Sequence, residues 1–478
     1  MRLPGRLEQS LANWLPRQRW FAGKGREVSQ VEILTDTELL AGDPGLHHVI
    51  LGVHQGAVLD HYQVLLGVRS ELPGRLEYAE ICPETGQSHD PRVYDAVHDP
   101  ELTRVLLAKL AGGAQVGDLS FHTVPGARLE TTLVSLASPA EQSNTSIIFG
   151  SAPDEAYICK LFRRLTPGVN PDLELNLGLS RVGSAAIPEL YGWIDMSLDD
   201  EPTTLAMLSQ FLSSATDGWR LATTSVRDLY GHVSDQPGIH ADEVGGDFAA
   251  EAERLGAATA AVHQDLAVAF DVTELPADEV RAMGRLMHER LTEACVAVPE
   301  LARYTDLIGA AYDDLVKHDG PMPIQRIHGD YHLGQVMRTE HRWVLLDFEG
   351  EPARSLAERR ASGHPLRDVA GMLRSFEYAA QFLLVGQHSL LGGPSQVSPD
   401  VAERLESRAR EWADRNREAF CRGYAQAGGP DPEAHGILLR AFEFDKAVYE
   451  VVYEARNRPS WLHIPLSGFA AHARSRGR

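Results

Sequence analysis

The stretch that most constrains this chain runs from Gln325 to Glu351, QRIHGDYHLGQVMRTEHRWVLLDFEGE. An apolar approach, Ile324 to Ile327, leads into His328-Gly329-Asp330. Gln335 follows five residues after that aspartate. The buried-strand run Trp343-Val344-Leu345-Leu346 then ends at Asp347, twelve residues after Gln335. A carboxylate on a tight loop, an amide oxygen nearby and a second carboxylate at a strand end are what phosphoryl transfer needs. One group takes a hydroxyl proton and two hold magnesium against a triphosphate. Asp330 is the expected catalytic residue, with Gln335 and Asp347 as the expected Mg2+ ligands. An ordinary turn with its acids in water is the alternative, and three ligands at this spacing argue against it.

Protein-kinase catalytic loops use Asp-x-x-x-x-Asn followed by Asp-Phe-Gly. Here Gln335 stands in place of Asn, and Asp347-Phe348-Glu349 in place of Asp-Phe-Gly. Glutamine keeps the carbonyl oxygen on a side chain one methylene longer, so ligation survives a small loop shift. The His-Gly-Asp form resembles the aminoglycoside and choline kinase branch, whose acceptors are small hydroxylated molecules.

Composition bounds the remaining choices. A chain of 478 residues exceeds one simple core, so two or three domains are expected. The 43% apolar and 23% charged content is that of a soluble globular protein. A formal net charge of -22 argues against nucleic acid or an anionic membrane as main partner. It leaves room for ATP in a local basic pocket. Cys82, Cys159, Cys295 and Cys421 lack CxxC spacing, so neither zinc nor a disulfide framework is indicated. No apolar run is long enough for a membrane span, and Met1-Arg2-Leu3-Pro4 opens no signal peptide, so a cytoplasmic protein is expected.

Three segments are expected: a cap subdomain over 1–90, a nucleotide-holding lobe over 91–208 and a mostly helical lobe over 209–478. In the first, a short helix from Leu7 to Leu15 precedes strands at Val31 to Leu34, His48 to Val53 and Tyr62 to Gly67. Gly23-Lys24-Gly25 does not complete a dinucleotide fingerprint, because Val28 holds the third glycine position and no strand precedes it. Trp20 reads as a core anchor.

In the second segment, a helix from Tyr94 to Leu110 leads to strands near Leu129 to Ser135, Ser146 to Phe149 and Tyr157 to Phe162. Between the first two lies Glu141-Gln142-Ser143-Asn144-Thr145-Ser146, a polar hairpin able to offer backbone N–H groups to phosphates. Ser143, Asn144 and Thr145 are the candidate contacts. Lys160 sits inside an apolar strand, where burial demands a partner. Glu174, in a helix opened near Pro171, is the expected one. An edge-strand lysine pointing to solvent is the alternative. Arg163 and Arg164 read as surface or phosphate-steering charges. Leu205 to Phe211 forms a strand, with adenine expected near Met207 to Gln210.

The third segment has helical periodicity. Phe248, Ala252, Leu255, Val262 and Leu266 recur at helix spacing, with His263 beside them as a packing residue. Helices are also expected over Val280 to Cys295, Tyr304 to His318 and Val401 to Ala427. Another starts at Pro365, where Asp368 reads as a cap or first-turn acid. Near the end, Phe444, Val448, Val451 and Val452 form a buried stripe while Lys446, Tyr449, Glu450 and Tyr453 project on neighbouring faces. Aromatic planes interleaved with charged groups suit a polyhydroxylated ring. A helix seam with a Lys446–Glu450 ion pair fits the same pattern equally well.

Together these stretches resemble the actinobacterial maltokinases over most of the chain. The resemblance is carried by Trp14 to Gly23, Glu141 to Ser146, Lys160 to Arg164, Asn170 to Leu175, Ala222 to Leu229 and Glu243 to Phe248. Its most specific parts are His328 to Gln335, Asp347 to Pro352, Leu366 to Ala380 and Asp445 to Glu454. It implies an α+β, bilobal protein-kinase-like fold with an N-terminal cap subdomain and a mostly helical C-terminal lobe. It also implies ATP-dependent phosphorylation of maltose at its anomeric hydroxyl, on a route from trehalose to α-glucan with trehalose synthase as a pathway partner. Position by position, Asp330 matches the catalytic aspartate, Gln335 and Asp347 the Mg2+ ligands, Lys160 the phosphate-contacting lysine and Glu174 its pair. His332, Lys446, Tyr449 and Tyr453 fall where sugar contacts are expected. Tyr331 stands where Leu is common, and Ser362-Gly363-His364 replaces an Asp-Ser pattern, so His364 is expected to alter the rim of the site. A monomer or weak homodimer with no nucleic-acid or membrane partner is expected. An aminoglycoside or amino-sugar (glucosamine) kinase would share the phosphoryl machinery but surround a cationic acceptor with acids. A non-catalytic pseudokinase would bind without turnover.

Overall fold

The computed structural model describes residues 3, 7–82, 91–138, 143–152, 155–233, 238–243, 246–352, 354–390 and 399–476. Its chain divides into two compact units, Met1–Leu177 with Pro188–Ser213, and Gly178–Ile187 with Ser214–Arg478.

In the first unit, helix α1 (Leu7–Trp14) precedes three long antiparallel strands, β1 (Gln30–Leu40), β2 (Gly45–Gln55) and β3 (Val58–Arg69). They run well past the short apolar runs visible in sequence. Thr35, Asp36, Thr37 and Glu38 continue β1 as an unbroken polar run in which half-buried threonines alternate with exposed acids. β4 (Glu80–Cys82) and β5 (Arg92–Asp95) complete the sheet in the order β1-β2-β3-β5-β4. The helix expected from Tyr94 begins later. Val93 and Tyr94 pair with β3, and Asp99 accepts the N–H of Glu101, so α2 (Pro100–Ala111) starts at its proline.

A second antiparallel sheet follows. Its strands are β6 (Gln115–Val116), β7 (Leu119–Thr123), β8 (Ser135–Ala137), β9 (Thr145–Phe149), β10 (Tyr157–Leu161), β12 (Leu190–Leu198) and β13 (Glu201–Gln210), in the order β6-β7-β12-β13-β10-β9-β8. The strand expected at Leu129 to Ser135 is reduced to β8. Strand β12 escaped the sequence reading, although Leu190, Gly192, Ile194, Met196 and Leu198 alternate inward through it. β11 (Arg164–Leu165) leaves the second sheet to pair with β3 of the first. α3 (Pro171–Arg181) follows it in the chain. Leu102, Leu106 and Leu107 of α2 share one core with Leu46, Ile50 and Leu65 of the first sheet and Ile147, Cys159 and Leu208 of the second.

Polar groups tie the two sheets as firmly. Gln63 Nε2 donates to Phe162 O at 2.7 Å and Leu205 O at 2.6 Å. Arg163 is fully buried, which corrects its reading as a surface charge. Its guanidinium pairs with Asp95 at 2.8 Å, donates to Thr145 Oγ1 at 2.8 Å and lies 4.7 Å from the Trp20 ring centroid. Trp20 is the buried anchor expected of it. Arg164, one residue on, points out and pairs with Asp60 at 2.7 Å.

The second unit is helical around two small sheets. The chain enters through β14 (Thr216–Asp217) and α4 (Gly218–Val233), followed by α5 (Ala249–Phe270), β15 (Thr273–Leu275), α6 (Ala277–Ala297), α7 (Thr305–Val316) and β16 (Met322–Ile324). The motif segment then forms a hairpin of β17 (Val336–Arg338) and β18 (Trp343–Leu345). After it come α8 (Leu356–Arg359), α9 (Leu366–Leu390), α10 (Pro399–Gln426), α11 (Gly436–Asn457) and α12 (His463–Arg476). Phe248, Phe376 and Trp412 meet ring to ring where α5, α9 and α10 converge. Among the described residues, no helix is long and apolar enough to cross a membrane.

The buried Arg163 gives a direct test. Asp95→Ala strands that cation and is expected to destabilise the protein by about 3–5 kcal/mol. Arg164→Ala, at an exposed pair, is expected to change stability by about 0–1 kcal/mol. Denaturant unfolding of the two variants measures the contrast, and equal effects would refute it.

Candidate active site

Lys160 belongs to β10, between Ser146 of β9 and Met207 of β13 in the ladder. Its Nζ lies 2.9 Å from Asp172 Oδ2, in the first turn of α3. Asp172, two residues before the expected partner Glu174 on the same helix, makes this ion pair. Asn176 Nδ2 and the Lys160 ammonium both donate to the Asp172 carboxylate and hold it in place. Thr145 is buried with its hydroxyl taken by Arg163, Ser143 is exposed, and Asn144 is half-buried. Glu141 and Gln142 lie outside the described residues. Gln210 ends β13 opposite Tyr157 of β10. Strand alternation sets Ile158 and Lys160 on the opposite face from the core residues Tyr157, Cys159 and Leu161.

In the second unit, the spacing of the central motif is explained by its hairpin. A short 3-10 turn over Leu333–Gln335 ends at Gln335, and β17 and β18 then pair from Val336 with Leu345 outward. Leu346 N–H donates to Gln335 O at 2.9 Å, so Asp347 emerges beside Gln335. Gln335 Nε2 lies 2.8 Å from Asp347 Oδ2. Asp347 has φ of 64°, a left-handed conformation that Asp tolerates better than most residues.

The loop carrying Asp330 is held from behind. Asp368 Oδ2 accepts the N–H of His328 at 2.7 Å, and Oδ1 that of Gly329 at 2.9 Å. His263 Nε2 meets the same carboxylate at 3.0 Å, and its Nδ1 meets Tyr424 Oη at 2.9 Å. Asp368 and His263, read from sequence as a helix-start acid and a packing residue, are thus one buried clamp on the loop. Burial alone would raise the pKa of Asp368, but the His263 hydrogen bond and charge and the loop N–H outweigh it and hold it below the ordinary carboxylate range.

His328 hydrogen-bonds backbone from both ring nitrogens. Nδ1 faces the Asp330 N–H at 3.4 Å, and Nε2 donates to Leu346 O at 2.8 Å, which links the loop to the strand before Asp347. Gly329 has φ of 84°, and a Cβ there would come within 3.3 Å of Gly350 Cα. Tyr331 is buried, and its hydroxyl meets Thr259 of α5 at 2.7 Å. His364 does not reach the rim. It is buried, and its Nδ1 accepts the Leu366 N–H at the start of α9, with burial pulling its pKa down to about 4.

Asp330 opens onto a cavity of about 700 Å³ whose lining includes His332, Glu351, Tyr378, Lys446, Tyr449, Glu450, Tyr453, Glu454, Arg458 and Trp461. Lys446, Tyr449, Glu450, Tyr453 and Glu454 come from one stretch of α11 at helical spacing. Lys446 Nζ lies 3.4 Å from Asp330 Oδ1 and 3.2 Å from Glu351 Oε1. Burial would lower its pKa, but Asp330, Glu351 and Glu450 overcome that and hold it above the ordinary lysine value. Glu450 pairs with Arg374 at 2.7 Å, and Glu454 with Arg458 at 2.8 Å. The Tyr449 and Tyr453 rings stack at 6.1 Å and remain partly exposed to the cavity.

His332 caps the 3-10 turn by accepting the Gly334 N–H on Nδ1 at 3.0 Å. Burial lowers its pKa, which keeps the ring neutral. Glu351, Arg374 and Glu454 were not singled out from sequence. Glu454 stands eight residues after Lys446, on the same helical face, which is a signal that could have found it.

Residues 14–99 match the family described as the maltokinase N-terminal cap domain. A glucosamine kinase of Streptacidiphilus jiangxiensis is 28% identical over 331 residues, covering 68% of this chain and 70% of that protein. A glucosamine kinase of Mycolicibacterium smegmatis is 27% identical over 342 residues, covering 69% and 77%. A solved glucosamine kinase in complex with glucosamine, ADP and inorganic phosphate shares the fold, with a TM-score of 0.64 at 22% identity over 98% of this chain and 99% of that one. These similarities fit the phosphotransferase superfamily, and the chain has an α+β fold whose residues 14–99 match the cap-domain family.

Asp368→Ala removes the acceptor of three donors, each loss costing about 1–3 kcal/mol, and is expected to lower thermal stability accordingly. Because the folded pKa of Asp368 lies below its unfolded value of about 3.9, the contribution is complete above that value and is lost as pH falls through the folded one. Asp368→Asn is therefore expected to flatten the acid limb of the stability curve, measured by circular dichroism from neutral pH down through the carboxylate range. An unchanged acid limb would contradict the clamp.

Proposed function

We propose that this phosphotransferase is an ATP-dependent maltose kinase, transferring the γ-phosphate to the anomeric hydroxyl to give maltose 1-phosphate. The charge balance of the larger cavity carries the reading. Asp330 and Glu351 share Lys446, Glu450 has Arg374, and Glu454 has Arg458. The ammonium of an amino sugar calls for a carboxylate not already neutralised. Among the acids named here as lining this cavity, none is left in that state. A volume of about 700 Å³ accommodates two pyranose rings, and Tyr378, Tyr449, Tyr453 and Trp461 offer faces for them. The cap-domain match supports the same substrate.

In this reading Asp330 orients the hydroxyl and accepts its proton late, as bonding to phosphorus acidifies it. Lys446, which stays charged despite burial, faces the Asp330 carboxylate at 3.4 Å. His332, neutral and with Nδ1 occupied, has Nε2–H to donate to a sugar oxygen. Gln335 donates Nε2–H to Asp347 Oδ2 at 2.8 Å, and turning that amide over would set its Oε1 beside the carboxylate as a pair of oxygens that fits a hard divalent cation. They would hold Mg2+, which when bound neutralises charge on the transferred phosphoryl group. Lys160, set by Asp172, is the group for the nucleotide phosphates, with Ser143, Asn144, Thr145, Glu174 and Gln210 as further nucleotide-side residues.

A second reading, glucosamine as acceptor, is favoured by the two relatives named glucosamine kinase. ADP release with maltose, glucosamine and kanamycin separates the readings, followed by NMR of the product. Turnover with maltose and phosphorus at C1 is expected; preference for glucosamine would reject the proposal. Asp330→Asn is expected to lower kcat by about 10²–10⁴-fold with ATP affinity little changed. Equal loss of both would make Asp330 structural. Lys446→Met leaves Asp330 without its cation while Glu351 keeps Arg354, so it is expected to weaken maltose turnover and improve glucosamine binding, read from the two KM values.

A further inference from the structure

Asp330 borders a second, smaller cavity of about 200 Å³, lined on its other sides by Glu351, Arg354, Gly363, Arg367 and Asp445 among others. Its charged groups pair off almost completely. Arg354 bonds Glu351 at 2.6 Å, Lys446 bridges Glu351 and Asp330, and Asp445 pairs with Arg290 at 2.7 Å. Asp368 is occupied by the loop N–H groups and His263, and Glu358 by the capping box at the start of α8. Arg367, in the first turn of α9, is different. Its guanidinium lies 5.6 Å from the Phe442 ring centroid, and no hydrogen-bond acceptor among the described residues takes any of its donors. Burial drags on its charge more strongly than Asp445 supports it. An arginine does not escape by deprotonation, and this half-buried guanidinium, with no acceptor among the described residues on its donors, can take an anion from outside the chain.

We propose that this cavity is a binding site for a phosphate oxyanion, with Arg367 as its main ligand. The stacked, planar guanidinium is suited to two-pronged contact with phosphate oxygens. The volume of about 200 Å³ equals the liquid volume of roughly seven waters, enough for a tetrahedral oxyanion but not for a sugar ring beside it. The choice of phosphate rests on the phosphoryl-transfer reading, since Asp330 and Lys446 border both cavities. Two sources share this chemistry: free orthophosphate, or the phosphate of the sugar phosphate product with its sugar in the larger cavity.

Isothermal titration of orthophosphate into the full chain, without nucleotide or sugar, tests the site. The wild type is expected to bind, Arg367→Gln to bind about tenfold or more weakly, and Arg367→Lys to fall between them. Arg422→Gln on α10, at an exposed pair with Glu253 of α5, is expected to bind as the wild type does. If Arg367→Gln does not fold by circular dichroism, Arg367→Lys carries the comparison. Equal binding by wild type and the Arg367 variants, or no binding by the wild type, overturns the proposal. Competition between maltose 1-phosphate and orthophosphate assigns the site to the product, and simultaneous binding assigns it to free phosphate. A protein that binds orthophosphate through Arg367 yet phosphorylates no sugar keeps the site and loses the kinase reading, so the two fail separately.

Discussion

The site depends on one buried carboxylate. Asp368 accepts two consecutive N–H groups of the His328–Asp330 loop while His263 and Tyr424 stand behind it. A loop with a positive-φ glycine and an aspartate at its tip has no ladder of its own to hold it. Side-chain acceptors must therefore supply the backbone partners that strand pairing would otherwise provide. The Asp368 clamp comes from the N-terminal turn of α9, and Gly371 one turn later lets that helix approach closely, since a Cβ there would stand 2.6 Å from Tyr331 O. His328 passes the constraint forward to Leu346, so the positions of Asp330 and Asp347 are coupled through a single imidazole.

Electrostatics on the open side follow the same economy. Lys446 serves both Asp330 and Glu351, but Glu351 also holds Arg354, so removing Lys446 would leave Asp330 uncompensated. Arg374 and Arg458 neutralise the two other acids of the cavity from outside its centre. The result is a cavity rich in hydrogen-bonding groups yet low in net charge, bordered by aromatic faces, a combination that favours hydroxyls over ions.

Much of this was legible where one local rule decided the outcome. The helical second unit followed from periodicity, and the α+β architecture from the family resemblance that the motifs carry. The closeness of Gln335 and Asp347 followed from a spacing equal to one short turn plus one short hairpin. The shared face of Lys446, Tyr449 and Tyr453 is plain helix geometry. Long-range partners were not legible. Asp172 and Glu174 occupy neighbouring positions in the same helix, and nothing local says which one meets a strand residue. Arg163 and Arg164 look alike as a dipeptide, but strand alternation turns one inward, toward an aspartate 68 residues away. His263 and Asp368 are separated by 105 residues, and each alone has an ordinary local explanation. Tyr94 was misread because a strand, a capping aspartate and a helix are compressed into fewer than ten residues.

Five of the side chains around the large cavity are contributed by two and a half turns of α11, whereas the loop and hairpin bearing Asp330, Gln335 and Asp347 belong to an earlier stretch of the chain. In the proposed function, reactivity and recognition are therefore carried on separate segments of the sequence. A lineage can exchange one acceptor for another by a few changes along a single helix while its phosphoryl-handling segment stays as it was, and relatives this similar in fold can diverge in diet.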